Sequence, residues 1–129
     1  MEYDGGALPR LESPEAAFEL IVVADHADDI VMFDVPPPGD GIRGIQAYRE
    51  TWPPFFEWQR RGAVFEIVSL EVTAGADVAF AHALLRCGTK EELEKDPDNR
   101  LRLTIGLRKE DGRWVVSHEH HSFPDKSQS

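Results

Sequence analysis

The sequence predicts an α+β fold in which helices come first and a run of antiparallel strands follows. Residues 13–15 read Ser-Pro-Glu, a helix cap followed by proline and an acid, at the start of a dense apolar run. Ile45, Tyr48 and Trp52 recur at spacings of three and four, so they share one face of a second helix. Strand patterns fill four segments of the second half, 63–72, 78–87, 100–109 and 113–123. This order predicts helices that cover one face of a curved sheet.

Composition and charge bound the class of protein. The chain has 129 residues, 41% of them hydrophobic and 29% charged, as in one globular domain. A formal net charge of −10 argues against nucleic acids and anionic membranes as partners. The single cysteine, Cys87, fits a reducing cytoplasm. We expect a cytoplasmic protein with an N-terminal arm at 1–12, one domain at 13–124 and a disordered tail at 125–129.

Prolines and glycines divide the first half of the chain. The expected elements are a helix through residue 25, a short turn at 26–29, a buried strand at 30–34, a loop at 35–41 and a second helix at 42–52. Pro53 and Pro54 must end or kink that second helix, because proline cannot continue the hydrogen-bond ladder of a helix interior. A charged segment, 91–99, is expected to be a solvated connection between strands.

The last hairpin sets which histidines share a face. Gly112 after Glu110 and Asp111 favours a three-residue loop with a glycine bulge, which places Lys109 opposite Arg113. One face of the hairpin then carries a polar set, Arg102, Thr104, Trp114, His118, His120 and Ser122. The opposite face carries the leucine row, Leu101, Leu103, Ile105 and Leu107, together with Val115, Ser117, Glu119, His121 and Phe123. A two-residue turn would shift the pairing by one and put His118 and His120 with the leucines.

The strand at 78–87 alternates large and small side chains. Val78, Phe80, His82 and Leu84 lie on one side, and three alanines lie on the other. We expect the large side to join the leucine row against the helices. His82, Glu119 and His121 then become polar groups inside an apolar cavity.

Four features resemble the SnoaL-like branch of the nuclear transport factor 2-like superfamily, which includes ketosteroid isomerase. These features are the FD pair at 33–34, the G-I-x-A-Y helix at 44–48, VAF at 78–80, and the ending R-x-T-x-x-L-R-K-x-D-G-x-W-x-V-x-H-x-H-x-S-x-P at 102–124. The resemblance covers nearly the whole chain. It implies a cone: a curved antiparallel sheet wrapped around N-terminal helices, enclosing an apolar pocket, usually in a dimer.

The pattern is also similar to the association domain of calmodulin-dependent protein kinase II. That resemblance implies that side chains at His82, Ile105 and His121 reach the cavity, joined by Tyr48 from a helix. It also carries a second interpretation, an association module with a vestigial pocket, in which Arg102 and the outward histidines make the contacts between subunits.

Acid–base chemistry at a pocket histidine is the sharpest functional prediction, because imidazole exchanges protons near neutral pH. The candidate catalytic residues are His82, His121, Asp34 and Glu119. The candidate substrate-binding residues are Tyr48, Trp52, Phe56, Phe80 and Ile105. A secondary polar face comprises Arg102, Thr104, His118, His120 and Ser122. We expect a small apolar molecule as ligand and a homodimer, with no cofactor, no metal, no nucleic acid and no membrane.

Overall fold

The computed structural model describes residues 25–125. The expected arm at 1–12, the helix beginning at Ser13 and the tail beyond residue 125 lie outside the described residues. The elements are β1 (Asp25–Phe33), β2 (Ile42–Arg43), α1 (Ile45–Arg49), α2 (Trp52–Arg60), β3 (Val64–Ala74), β4 (Val78–Gly88), α3 (Lys90–Lys95), β5 (Leu101–Glu110) and β6 (Arg113–Ser122). No helix within 25–125 is long and apolar enough to cross a membrane.

One open sheet of six strands, in the order β2-β1-β6-β5-β4-β3, forms the body of the molecule. All neighbouring pairs are antiparallel except β1 and β6, which run parallel. With the helices α1 and α2 it makes the predicted α+β architecture, in which helices cover one face of the sheet. The centre of the core is formed by fully buried side chains from four strands, Ile30, Leu85, Ile105 and Val116.

The hairpin between β5 and β6 differs from the prediction at its turn. The loop has two residues, Asp111 and Gly112, both with positive φ (52° and 78°), and Glu110 pairs with Arg113. This backbone matches the right-handed twist of the strands, which is why two-residue hairpin loops favour it. The predicted three-residue loop, and with it the predicted pairing of Lys109 with Arg113, is therefore wrong.

A bulge at Ser117 restores the predicted faces near the end of β6. Leu107 pairs with Val116, but the next pair is Gly106 with His118, so Ser117 is an extra residue on β6. Beyond it Glu119 lies opposite Ile105 and His121 opposite Leu103, on the inner face as predicted. Before the bulge the alternation is reversed. Trp114, expected on the polar face, is buried as the partner of Lys109, and Val115 exchanges faces with it.

The strand β4 faces the opposite way from the prediction. Its alanines pair with the leucine row (Ala81 with Ile105 and Ala83 with Leu103) and are buried. Phe80 and His82 point outward and are exposed. Side chains converge on the inner face of a curved sheet, so small residues fit there while large ones are accommodated outside. The expectation that the large side joins the leucine row is wrong.

Two segments of the first half also differ from the prediction. The expected turn at 26–29 belongs to β1, which begins five residues earlier than the predicted strand. The expected helix at 42–52 is divided into β2, α1 and the first residue of α2. Pro53 and Pro54 do interrupt that helix as predicted, since they occupy the first turn of α2, where a missing N–H costs nothing.

A short helix, α3, forms within the segment expected to be a solvated connection. The Thr89 side chain accepts a hydrogen bond from the Glu92 backbone N–H at 3.1 Å. Glu92 in turn accepts one from the Thr89 backbone N–H at 2.8 Å. This reciprocal capping satisfies two donors at the start of the helix, and Leu93 is buried beneath it.

The loop between β1 and β2 depends on one glycine. Gly41 has φ 91°, and a Cβ there would lie 2.6 Å from Phe33 Cδ1 and 2.9 Å from the Met32 backbone oxygen. Gly39 in the same loop has open space around it. We predict that Gly41→Ala lowers the free energy of unfolding by about 1–3 kcal/mol because of this backbone conformation. Gly39→Ala is the matched control and should be close to neutral. Equal effects of the two variants in chemical denaturation would contradict the prediction.

Candidate functional site

A cavity of about 930 Å³ lies between the inner face of the sheet and the two helices α1 and α2. Most of its wall is apolar and aromatic. The aromatic side chains come from α2, β3 and the end of β6: Trp52, Phe55, Phe56, Trp58, Phe65 and Phe123. The leucine row supplies Leu101, Leu103 and Ile105 as the floor. Such a cavity suits a small molecule with a flat or bulky apolar body.

A polar cluster interrupts this apolar wall. Glu119, only 8% exposed, is its centre. The Tyr48 hydroxyl donates a short hydrogen bond to Glu119 Oε2, and His121 Nε2 lies 3.1 Å from Glu119 Oε1. His26 Nε2 lies 3.3 Å from the Tyr48 oxygen and 4.0 Å from Glu119 Oε2. Asp34 Oδ1 lies 3.6 Å from His121 Nδ1. We call these five residues the Glu119 cluster.

The cluster keeps Glu119 ionised. Burial by itself would raise the pKa of this carboxyl group. The hydrogen bond and the charge of His121, the hydrogen bond from Tyr48 and the nearby His26 together outweigh burial, so the pKa of Glu119 lies below its usual value. Burial, followed by the charge of Glu119 and the hydrogen bond to it, raises the pKa of Tyr48 far above its usual value. Tyr48 therefore stays protonated and remains a donor.

His121 is the cluster member placed for proton exchange. An ionised carboxylate can only accept hydrogen bonds, so the contact with Glu119 places a proton on Nε2 of the imidazole. Glu119 thereby orients the ring, as a carboxylate does in a catalytic triad. The other ring nitrogen, Nδ1, faces Asp34. Asp34 is half-buried and also lines the cavity.

The structure brings most of the predicted site residues together. Asp34, Glu119 and His121 meet in one cluster, and Tyr48, Trp52, Phe56 and Ile105 line the same cavity. Two predicted members lie elsewhere. His82 is on the outer face, where its side chain is 55% exposed and pairs with Glu71 at 3.4 Å. Phe80 is on the same outer face and is 49% exposed. Placing His82 and Phe80 in the cavity was wrong, because β4 presents its alanines inward.

His26 is a cluster member that the sequence reasoning missed. Its segment was interpreted as a turn, so no side-chain direction was assigned to it. The pairing of β1 with β6 is irregular between His26 and Val31, so alternation from Ile30 and Met32 could not have assigned the direction of His26. The imidazole also packs between the rings of Tyr48 and Trp52, with centroid distances of 5.0 and 5.7 Å.

The secondary polar face lies outside the cavity, as the predicted faces require. Thr104 lies between His82 and His120 across three strands of the outer surface, and Arg102 lies opposite Ser122. His118 Nδ1 bonds to the Val31 backbone oxygen at 2.7 Å, and both outward histidines pack edge-on against Phe33. Within 25–125, no group of three His, Cys, Asp or Glu side chains is arranged to hold a metal ion.

The family follows from comparison with known proteins. A family model described as a SnoaL-like domain matches residues 16–126. An NTF2-like protein of unknown function from Pseudomonas putida KT2440 is 36% identical, with 83% of this chain and 74% of that one covered and a TM-score of 0.68. The chain therefore belongs to the SnoaL-like family.

More distant structures agree in fold alone. A putative ketosteroid isomerase from Shewanella frigidimarina NCIMB 400 is 20% identical, with a TM-score of 0.56 over 84% of this chain and 81% of that one. A putative ketosteroid isomerase from Parabacteroides distasonis ATCC 8503 is 18% identical, with a TM-score of 0.56 over 91% of this chain and 79% of that one. A search of the curated proteins gave no match.

The thiol of Cys87 reports the electrostatics of the cavity wall. Burial, with the negative charges of Asp34 and Glu92, raises the pKa of Cys87 from 9.0 to about 11. The thiolate is the reactive form, so a raised pKa moves alkylation to higher pH. We predict that the iodoacetamide rate rises with a midpoint near pH 11.

The matched variants separate charge from burial. Asp34→Asn should lower the midpoint of Cys87 alkylation, because it removes one of the two negative charges. Glu71→Gln, on the outer face, should leave it unchanged. A wild-type midpoint at the value of an ordinary thiol would contradict the assignment.

Proposed function

We propose that this protein binds a small, mainly apolar molecule in the cavity and that the Glu119 cluster acts on the polar end of that molecule. The observation that carries the proposal is a buried carboxylate, hydrogen-bonded to Tyr48 and His121, inside an aromatic-walled cavity. We place this activity in the cytoplasm, where a single unpaired thiol such as Cys87 is stable.

Stability alone does not account for such a cluster. Removing a carboxylate from water costs several kcal/mol, which its partners offset only when the geometry is good. An apolar residue at Glu119 would fill the same space without that cost. Perturbed ionisable groups in a cleft are a recognised mark of a functional site. The Glu119 cluster lines the cavity between the sheet and the helices.

Proton transfer is the chemistry that the cluster supports best. We infer that His121 Nδ1 takes a proton from a carbon beside a carbonyl group and returns it to another carbon, which isomerises the substrate without a cofactor. Glu119 is then a positioning residue that holds the imidazole, and Asp34 stabilises the imidazolium that forms. Two structures of the same fold are described as putative ketosteroid isomerases, which is consistent with this reaction class.

A β,γ-unsaturated steroid ketone is a suitable neutral test substrate, because its conjugated product is followed by ultraviolet absorbance. We expect slow turnover by the wild type and a loss of about a hundredfold or more in His121→Gln, the usual contribution of a general base. His82→Gln is the matched control and should keep full activity, since His82 lies on the outer face.

The possible outcomes of this experiment divide the proposal into its two parts. Binding of the ketone, seen as quenching of tryptophan fluorescence, without turnover would leave a binding protein and reject the acid–base role. Equal loss of turnover in both histidine variants would reject His121 as the specific base. Absence of both binding and turnover would contradict the proposed function for ligands of this shape.

The outer face of the sheet supports a second proposal, self-association. Val78, Phe80 and Leu84 form a stripe of outward apolar side chains along β4, interrupted by His82, and they are 65%, 49% and 40% exposed. Exposed apolar surface of this kind on a sheet favours contact with another protein. We propose that a second copy of the chain covers this stripe in a two-fold symmetric dimer. Arg102 and His120, on the same face, would lie at the edge of that contact.

We predict that Phe80→Asp produces a monomer, measured by sedimentation velocity or light scattering. In a symmetric contact the substitution would bury one unpaired negative charge from each subunit. It would also remove the apolar contact that the Phe80 ring makes. Val35→Asp is the matched control, because Val35 is 51% exposed but lies in the loop after β1. Unchanged mass in Phe80→Asp, or a monomeric wild type, would contradict the dimer.

A further inference from the structure

The charge of the cavity wall is negative. Four carboxylates line it, Asp34, Glu92, Asp96 and Glu119, and its described residues include no lysine and no arginine. Among the wall residues within 25–125, the groups that can carry a positive charge are His26 and His121. Even with both imidazoles protonated, the carboxylates remain in excess. Residues 1–24, outside the described part, contain one basic residue, Arg10, against five acids, Glu2, Asp4, Glu12, Glu15 and Glu19.

Several hydrogen-bond donors of this wall are already engaged within the protein. The Tyr48 hydroxyl and His121 Nε2 both donate to Glu119. The Thr51 hydroxyl donates to the Tyr48 backbone oxygen at 2.6 Å. A ligand that brings only acceptors, such as a carboxylate or a phosphate, would therefore find these donors occupied and would face the excess of negative charge.

Acceptors, in contrast, remain available. Asp34 Oδ1 accepts the Val35 backbone N–H at 2.7 Å and faces His121, but Oδ2 has no hydrogen bond to a residue within 25–125. Asn99 belongs to the same wall, and its Oδ1 atom is buried without a hydrogen-bond partner among the described residues. A buried acceptor left unpaired costs free energy, and a ligand that supplies donors removes that cost.

The apolar part of the wall is suited to positive charge as well. Trp52 and Trp58 line it, together with four phenylalanines, Phe55, Phe56, Phe65 and Phe123. The faces of aromatic rings attract cations, tryptophan most strongly, and the attraction increases where water is excluded. Aromatic rings combined with carboxylates form the usual recognition surface for alkylammonium groups.

The negative charge of Asp34 also affects the pKa values of two other side chains of the wall, Cys87 and Tyr48. The negative charge of Asp34 contributes to the raised pKa of Cys87 and to the raised pKa of Tyr48, in both cases after burial as the larger cause. These groups lie on β4 and on α1, on different parts of the wall. The charge of Asp34 therefore acts on two parts of the cavity wall.

We propose that the ligand of this cavity is an organic cation, a protonated amine on an aromatic or polycyclic apolar body, with Asp34 as its ionic partner. The inference rests on the proposed function, because it assigns the charge of the molecule which the same cavity binds. The ammonium group donates to Asp34 Oδ2, and the apolar body packs against the leucine row and the aromatic wall. The apolar body supplies most of the affinity and the charge supplies the selectivity.

Three probes of equal shape test this inference by isothermal titration calorimetry at neutral pH: naphthylmethylamine, naphthylmethanol and naphthoate. They are cationic, neutral and anionic, respectively. We expect the amine to bind about tenfold more tightly than the alcohol, a difference of about 1.4 kcal/mol. The anion should bind most weakly. Added salt should lower the affinity for the amine and leave the affinity for the alcohol unchanged.

Variants assign the preference to Asp34. Asp34→Asn should remove most of the amine's advantage over the alcohol, measured as the ratio of the two affinities in the same variant. Asp34→Glu should restore part of it. Glu71→Gln, exposed on the outer face, controls for the general attraction of a cation to an acidic protein.

The outcomes distinguish the inference from the proposed function. If the alcohol or the anion binds as tightly as the amine, the inferred preference for a cation is wrong, while the proposed binding of a small molecule in the cavity is supported. If Asp34→Asn lowers the affinity for amine and alcohol equally, Asp34 is not the ionic partner. If Asp34→Asn does not fold, the ratio of amine to alcohol affinity in Asp34→Glu decides in its place: an unchanged ratio means that Asp34 is not the ionic partner. If none of the three probes binds, the proposed binding function fails together with the inference.

Discussion

The charge of Glu119 in the interior is the constraint on which the arrangement of the site depends. A carboxylate with 8% exposure stays ionised only while donors replace the water it has lost. Those donors come from different elements: Tyr48 from α1, and His121 from β6 itself, with His26 of β1 close by. The requirement therefore fixes the position of the helix against the strands as well as the direction of each side chain. Loss of one partner would leave a buried charge under-compensated, which is more costly than replacing the whole cluster.

The bulge at Ser117 decides which side chains of β6 reach this cluster. The two-residue turn by itself would direct His118 and His120 into the cavity and Glu119 and His121 outward. One extra residue on β6 reverses the alternation beyond it. The two outward histidines are then fixed by the Val31 carbonyl and the Phe33 ring, while Glu119 and His121 contact each other in the cavity wall. A local irregularity of one residue thus separates the outward histidines from the one in the cavity.

The two faces of the sheet carry different properties. The inner face combines small alanines, a leucine row and a negative polar cluster beneath the aromatic helix α2. The outer face carries an apolar stripe on β4 between polar side chains. The proposed ligand binding and the proposed self-association therefore involve different residues. The carboxylates of the cavity wall and the apolar residues around them are the basis of the proposed ligand class.

The sequence by itself determined the α+β order of elements, the helix interruption at Pro53 and the sharing of one face by Glu119 and His121. Those features are local, since they follow from proline chemistry and from alternation within one strand. Alternation assigns residues to the same face but does not say which face is inside. For β4 the large residues were expected inward, and the curvature of the completed sheet placed the alanines there instead, so His82 and Phe80 lie outside. His26 joins the cluster only because β1 pairs in parallel with β6, a contact between residues about ninety positions apart. The tertiary structure decided these points, because curvature and long-range strand pairing depend on all the strands together.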